Sequence, residues 1–142
     1  MMTSVRGSMN HLRLTVTDVK RAKAFYGPLL AHLGYQISEE DDGRIGWGGG
    51  GPGGGRQWII ISGTNEQTLH SSHDMFSPGL HHFAFNVDSR AEVDGFYELL
   101  LKQHAEIQDP PKEYDYEPGY YAVFFKDPDG IKLEVVNVPV PW

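Results

Sequence analysis

The sequence repeats itself. His11 and His82 lie 71 residues apart, Phe25-Tyr26 and Phe96-Tyr97 share that offset, and so do Leu29-Leu30 and Leu100-Leu101. Each copy opens with a histidine on an alternating segment and then switches to helical spacing. In the run from His11 to Thr17, Leu12, Leu14 and Val16 fall on one face and His11, Arg13, Thr15 and Thr17 on the other, the period of a strand with one buried face. Asp18 then stands where a helix N-cap belongs. Val19, Ala22, Phe25 or Tyr26, Leu29, Leu30 and Leu33 follow at helical spacing, and Gly34 suits the stop. Pro28 predicts a kink or break there, because proline removes a hydrogen bond and clashes one turn back. The second copy alternates from His82 to Val87, offers Ser89 and Glu92 at capping-box spacing, and carries Val93, Phe96, Tyr97, Leu100 and Leu101 as its apolar stripe. Self-similarity at one fixed offset marks a duplicated unit.

Each copy also continues in the same way. Residues 35–40 and 44–47 read as short strands around the turn Asp41-Asp42-Gly43, and residues 58–62 as a third strand. After the second helix, residues 106–108 read as a short strand. Residues 120–125 and 131–136 read as stronger ones, joined by the turn Asp127-Pro128-Asp129-Gly130. Residues 48–55 are nearly all glycine but lack the Gly-Lys-Ser/Thr ending of a phosphate loop, so they read as a flexible strand connection. Residues 65–78 are polar and turn-rich, a linker. The expectation is an α+β domain at 10–138, built from βαβββ modules at 10–64 and 79–138, with a leader at 1–9 and a tail at 139–142. Paired modules would form a curved mixed sheet with helices on its outer face and a concave cleft on the other.

A chain of 142 residues suits one domain. Its net charge of −7 would repel nucleic acid. The absence of cysteine excludes disulfides, thiolate ligands and a cysteine nucleophile, and suits the cytoplasm. No run approaches the roughly 20 apolar residues of a membrane span, and no apolar run follows the first residues as in a signal peptide.

Alternation then selects candidate site residues. His11, Arg13 and Thr15 share the open face of the first strand. His82, Ala84 and Asn86 share that of its counterpart, with His81 expected on the core side. Lys132, Glu134 and Val136 share that of the last strand. His11, His82 and Glu134 thus aim at one concavity, a 2-His-1-carboxylate metal set with open positions. Arg13, Thr15, Asn86 and Lys132 could position polar groups of a substrate. Tyr114, Tyr116, Tyr120 and Tyr121 cluster before a core strand and suit a small-molecule pocket, with Tyr120 as a substrate contact and Tyr121 acting beside Glu134 in catalysis. Glu117 could serve as a base if its loop folds over the cleft. His32, His70, His73 and His104 show no partnered spacing.

Three stretches carry a family resemblance. They are His11 to Asp18 with Phe25-Tyr26 and Leu33-Gly34, Gly79 to Asp88, and Tyr121 to Glu134. Together they resemble the vicinal oxygen chelate superfamily, which includes glyoxalase I, fosfomycin-resistance proteins, extradiol dioxygenases, methylmalonyl-CoA epimerase and bleomycin-resistance proteins. The resemblance runs from about Asn10 to Val138. It implies a paired βαβββ fold, a homodimer, and one divalent metal (zinc, nickel, manganese or iron) on the residues matching His11, His82 and Glu134. Two departures matter. Glyoxalase I has a fourth ligand, a glutamate on the strand closing the first half, whereas residues 58–62 hold no acid and Glu66 lies beyond them. Extradiol dioxygenases carry an added histidine shortly before the last strand, where this chain has Tyr120 and Tyr121. The expected function is a glyoxalase-like, metal-dependent lyase or isomerase, similar to lactoylglutathione lyase, acting on a small oxygenated metabolite without nucleic acid or membrane. The alternatives are a metal-free binder resembling bleomycin-resistance proteins, a fosfomycin-type thiol transferase, or a dioxygenase.

Overall fold

The computed structural model describes residues 6–50, 55–65 and 72–139. The chain divides into two compact units, Met1–Ser71 and Ser72–Trp142. Each contains one βαβββ module with its own four-stranded mixed sheet.

The first module runs β1 (His11–Val16), α1 (Val19–His32), β2 (Gln36–Asp41), β3 (Arg44–Gly50) and β4 (Arg56–Gly63). Its strand order is β1-β4-β3-β2, with β1 parallel to β4 and the other pairs antiparallel. The Asp18 carboxylate caps α1 by accepting the Arg21 N–H at 2.9 Å, and Gly34 follows the helix at φ +94°. Ala22, Phe25, Tyr26, Leu29 and Leu30 are buried, as are Leu14, Val16, Ile45, Trp47, Ile59 and Ile61 of the strands.

The expected break at Pro28 is corrected, since α1 passes through it. Proline costs about 3 kcal/mol inside a helix. Burying each large side chain returns about 1.5–3 kcal/mol, and Phe25, Tyr26, Leu29 and Leu30 flank the proline on both sides. The glycine run is also partly strand, because β3 continues to Gly50. At Gly48 the reason is a close approach: a Cβ there would come within 2.7 Å of the Trp58 ring. Residues 51–54, Glu66 and His70 lie outside the described residues.

The second module runs β5 (His82–Asn86), α2 (Arg90–Lys102), β6 (Glu106–Tyr114), β7 (Tyr120–Lys126) and β8 (Lys132–Asn137). Its order, β5-β8-β7-β6, repeats the first, with β5 parallel to β8. Ser89 caps α2 by accepting the Glu92 N–H at 3.1 Å, while the Glu92 carboxylate reaches back to the Asp88 N–H at 2.5 Å. Helix α2 packs on β6, β7 and β8, and Phe96 meets Phe125 at 5.7 Å between ring centroids. Between β7 and β8, the buried Asp127 carboxylate accepts the Asp129 and Ile131 N–H groups, both at 2.8 Å, and Gly130 supplies the positive φ of +83°.

Two expectations fail here. Strand β6 spans nine residues instead of three and includes Pro110 and Pro111, with two register shifts against β7. It is the outer strand of its sheet, and neither proline has a partner in the β6–β7 register, which shifts between Asp109 and Lys112. Leu101 does not join the apolar stripe. It is 43% exposed, whereas Leu30, its counterpart, is 1% exposed. Among the described residues, no helix is long and apolar enough to cross a membrane.

The burial of α2 yields a test by urea unfolding. Leu100→Ala should cost about 2–5 kcal/mol, because Leu100 is fully enclosed. Leu101→Ala should stay within about 0.5 kcal/mol. Equal losses would contradict the phase of this helix.

Candidate functional site

Strand register builds the site within the second module. His82 lies opposite Lys132 and Ala84 opposite Glu134 across β5 and β8. Phe124 lies opposite Glu134 and Ala122 opposite Val136 across β7 and β8. Alternation therefore gathers His82, Lys132, Glu134, Val136, Tyr120, Ala122 and Phe124 on one face. Val123, Phe125, Leu133 and Val135 take the other face, which carries α2. Ala122, Phe124 and Val136 form an apolar floor with Tyr114, Tyr120 and Val138 packed against it. Above it lies a cavity of about 360 Å³, bounded by His82, Lys132, Glu134, Tyr120, Tyr114 and Phe124, with His81, Asp109 and Tyr116 completing the wall.

Glu134 is the centre of this face. It is only 2% exposed, and a buried carboxylate is costly unless partnered. Its Oε2 accepts the Tyr120 hydroxyl, and its Oε1 faces His82 Nε2 at 3.3 Å. On the far side of the ring, His82 Nδ1 lies 2.7 Å from His81 Nδ1. Burial holds the His82 imidazole below its ordinary pKa; Lys132 and His81 push the same way, and Glu134 pulls against them. Burial, and then the bond to Glu134, raises the Tyr120 phenol. Burial and the nearby Asp109 push Tyr114 up to about 12. The Tyr114 hydroxyl is buried and has no hydrogen-bond partner among the described residues.

The donor set supplies two of the three protein ligands of a facial metal site. An imidazole nitrogen and a carboxylate oxygen converge, and Tyr120 occupies the other oxygen, leaving Oε1 to ligate. Binding through Nε2 requires the proton on Nδ1, where His81 stands ready to accept it. His81 and Asp109 also line the cavity, but the imidazole and carboxylate that face each other directly are those of His82 and Glu134. Among the described residues, no group of three or more His, Asp or Glu forms a ready metal cluster.

The remaining candidates are placed as follows. His11 belongs to the first module, on β1 opposite Trp58, with Nδ1 2.8 Å from Asn10 Oδ1. Arg13 Nε donates to Ser62 Oγ at 3.0 Å on the same sheet face, and Thr15 is exposed beside them. Asn86 is exposed near the end of β5 and does not line the cavity. Tyr121 is corrected: its hydroxyl donates to Asp94 of α2 at 2.6 Å on the helix side, so the phenol that reaches Glu134 is Tyr120's. Tyr120 in turn is tied to the carboxylate. His81, expected on the core side, lines the cavity next to His82. Glu117 lies between β6 and β7 and is absent from the cavity wall. Asp109 was not foreseen; it pairs with Phe124 only because β6 slips register around it.

The first module differs where it matters. By register, Ile60 holds on β4 the position that Glu134 holds on β8, and it is 4% exposed. An apolar side chain therefore stands on β4 where β8 carries its acid.

The sequence profile of the glyoxalase/bleomycin resistance protein/dioxygenase superfamily matches residues 8–135. The chain belongs to this superfamily. An uncharacterized Bacillus subtilis (strain 168) protein, YqjT, is 31% identical over 129 residues, covering 90% of this chain and 97% of its own. A glyoxalase-family structure from Bacillus halodurans superposes with a TM-score of 0.78 at 25% identity, over 94% of this chain and 97% of that one. The lactoylglutathione lyase of Agrobacterium tumefaciens shares the fold, with a TM-score of 0.66 at 21% identity over 96% and 97% of the two chains.

Two tyrosines test the superfamily member's site without any ligand. Tyr120→Phe should cost about 1–3 kcal/mol in urea unfolding, because it strips a donor from a buried carboxylate. Tyr114→Phe removes an unpartnered buried hydroxyl and should be neutral or stabilising by up to about 1 kcal/mol. A loss for Tyr114→Phe as large as for Tyr120→Phe would refute this account of the network.

Proposed function

We propose that the chain is a divalent-metal-dependent enzyme of glyoxalase type, a lyase or isomerase acting on a small oxygenated metabolite. The observation that carries this reading is the enclosed Glu134 carboxylate, fixed by Tyr120 through one oxygen and presenting the other to His82 Nε2. His82 and Glu134 would hold the ion, with His11 as the third ligand that the repeat and the family resemblance imply. Bound there, a zinc, nickel, manganese or ferrous ion would supply Lewis acidity to adjacent oxygens of the substrate.

The chain's own residues do the rest. Tyr120 fixes the orientation of Glu134. His81 fixes the tautomer of His82. Lys132, on the same face as Glu134, presents an ammonium to an anionic part of the substrate. Phe124, Ala122 and Val136 keep water from beneath the carboxylate, which strengthens every polar contact above them. The lactoylglutathione lyase with this fold supports the reaction class only at the level of fold. A cytoplasmic homodimer accompanies this reading, resting on the lack of cysteine and on the resemblance.

The second reading is a metal-free binder of small molecules. The aromatic cavity wall of Tyr114, Tyr116 and Phe124 favours it, since sequestration needs surface and no chemistry.

Elemental analysis after loading with manganese, zinc, nickel or ferrous iron separates the two. The wild type should retain one ion per chain, and His82→Ala and Glu134→Gln should each lose it, with circular dichroism unchanged. Wild-type protein that retains no ion after any loading would leave the binder.

A further inference from the structure

The wall of the second-module cavity narrows what can enter it. Tyr114 and Tyr116 stack at 5.2 Å with 6° between their planes, and Tyr114 stands edge-on to Phe124 at 5.4 Å and 82°. Two aromatic groups are left in water here. Tyr116 is 69% exposed, and Phe76, at 84%, rests edge-on against the cavity-lining His81 at 5.5 Å. Phe76 is held there by a turn in which its N–H donates to Asp74 Oδ1 at 2.9 Å and the Ser77 hydroxyl to Asp74 Oδ2 at 3.0 Å. Exposed aromatic side chains around one concavity gain by covering flat apolar surface. A cation stands among them: Lys132 Nζ lies 4.6 Å over the Phe124 ring, two positions from Glu134 on the same face of β8. About 360 Å³ is room for one ring with a short acid side chain.

We infer that this cavity takes a small aromatic acid, with its ring against Tyr116 and Phe124 and its carboxylate at Lys132. The inference rests on the proposed function for the placing of any further oxygen near Glu134 and His82, and it deepens that reading by naming the substrate class. Tyr116 is then a specificity residue that rewards the ring, Phe76 supports it through His81, and Lys132 rewards the carboxylate.

Calorimetric titration of the full chain with phenylglyoxylate and with pyruvate tests this, because the two share a 2-oxo acid head and differ in the ring. Each titration is run with manganese and again in EDTA. Phenylglyoxylate should bind about tenfold more tightly, the return expected for covering a ring against aromatic side chains. Tyr116→Ala should remove most of that preference and leave pyruvate unchanged. Phe76→Ala should reduce it in the same direction, and Lys132→Met should weaken both ligands. Tyr116 and Phe76 are both solvent-exposed, so these variants keep the fold. Equal affinities for the two acids, no phenylglyoxylate binding at millimolar concentration, or equal weakening of both by Tyr116→Ala would each overturn the inference. A ring preference that persists in EDTA and ignores manganese would uphold it and count against the metal reading alone. A preference seen only with manganese would uphold both.

Discussion

The parallel pairing of β5 with β8 is the constraint on which the site depends. A parallel pair needs a crossover, and α2, β6 and β7 supply it. The pairing sets His82 beside Lys132 and places Glu134 one step further along the same face. A slip of one residue would turn Glu134 toward α2, setting a carboxylate against Phe96 and Leu100 and bringing Leu133 and Val135 out. Both changes are costly, so the apolar face of β8 fixes the register of its polar one. The first module closes in the same way through β1 and β4, but with Ile60 in the corresponding place.

Once the register is set, the carboxylate needs company. Glu134 stands on a buried strand above an apolar floor, where an unpartnered charge would be untenable. Tyr120 and His82 meet that demand from the two neighbouring strands, and His81 extends the chain outward. The same contacts that make the acid tolerable also aim it. Stability and site geometry are therefore not separable at this residue, and the polar row His81–His82–Glu134–Tyr120 forms one unit.

Much of this was legible in the sequence, for identifiable reasons. Period-two patterns place His82 and Glu134 correctly because one face of each strand packs visibly. The caps at Asp18 and Ser89 are local chemistry and emerge as read. The choice between Tyr120 and Tyr121 was not legible, because Ala122, Val123, Phe124 and Phe125 are all buried and give β7 no hydrophobic phase. His81 lies just before β5, where alternation no longer governs direction. Strand β6 is hidden by its prolines, and its two register shifts conceal Asp109. Leu101 sits at the margin of its helical stripe, where neighbouring packing decides burial and the repeat carries no information. For Pro28 the local rule was sound, but the burial on either side of it outweighed it.

Those prolines in β6 carry a consequence beyond their own strand. Pro110 and Pro111 offer no N–H, and the register shifts bend the strand away from flatness. A further strand, from a peptide or from a second copy of the chain, would find a broken ladder along this margin. The sheet that bears the cavity is thereby guarded against growth on its β6 side. Any lasting association of the protein must use its faces, its loops or another margin, and the side chains of the site are spared the fate of templating an aggregate.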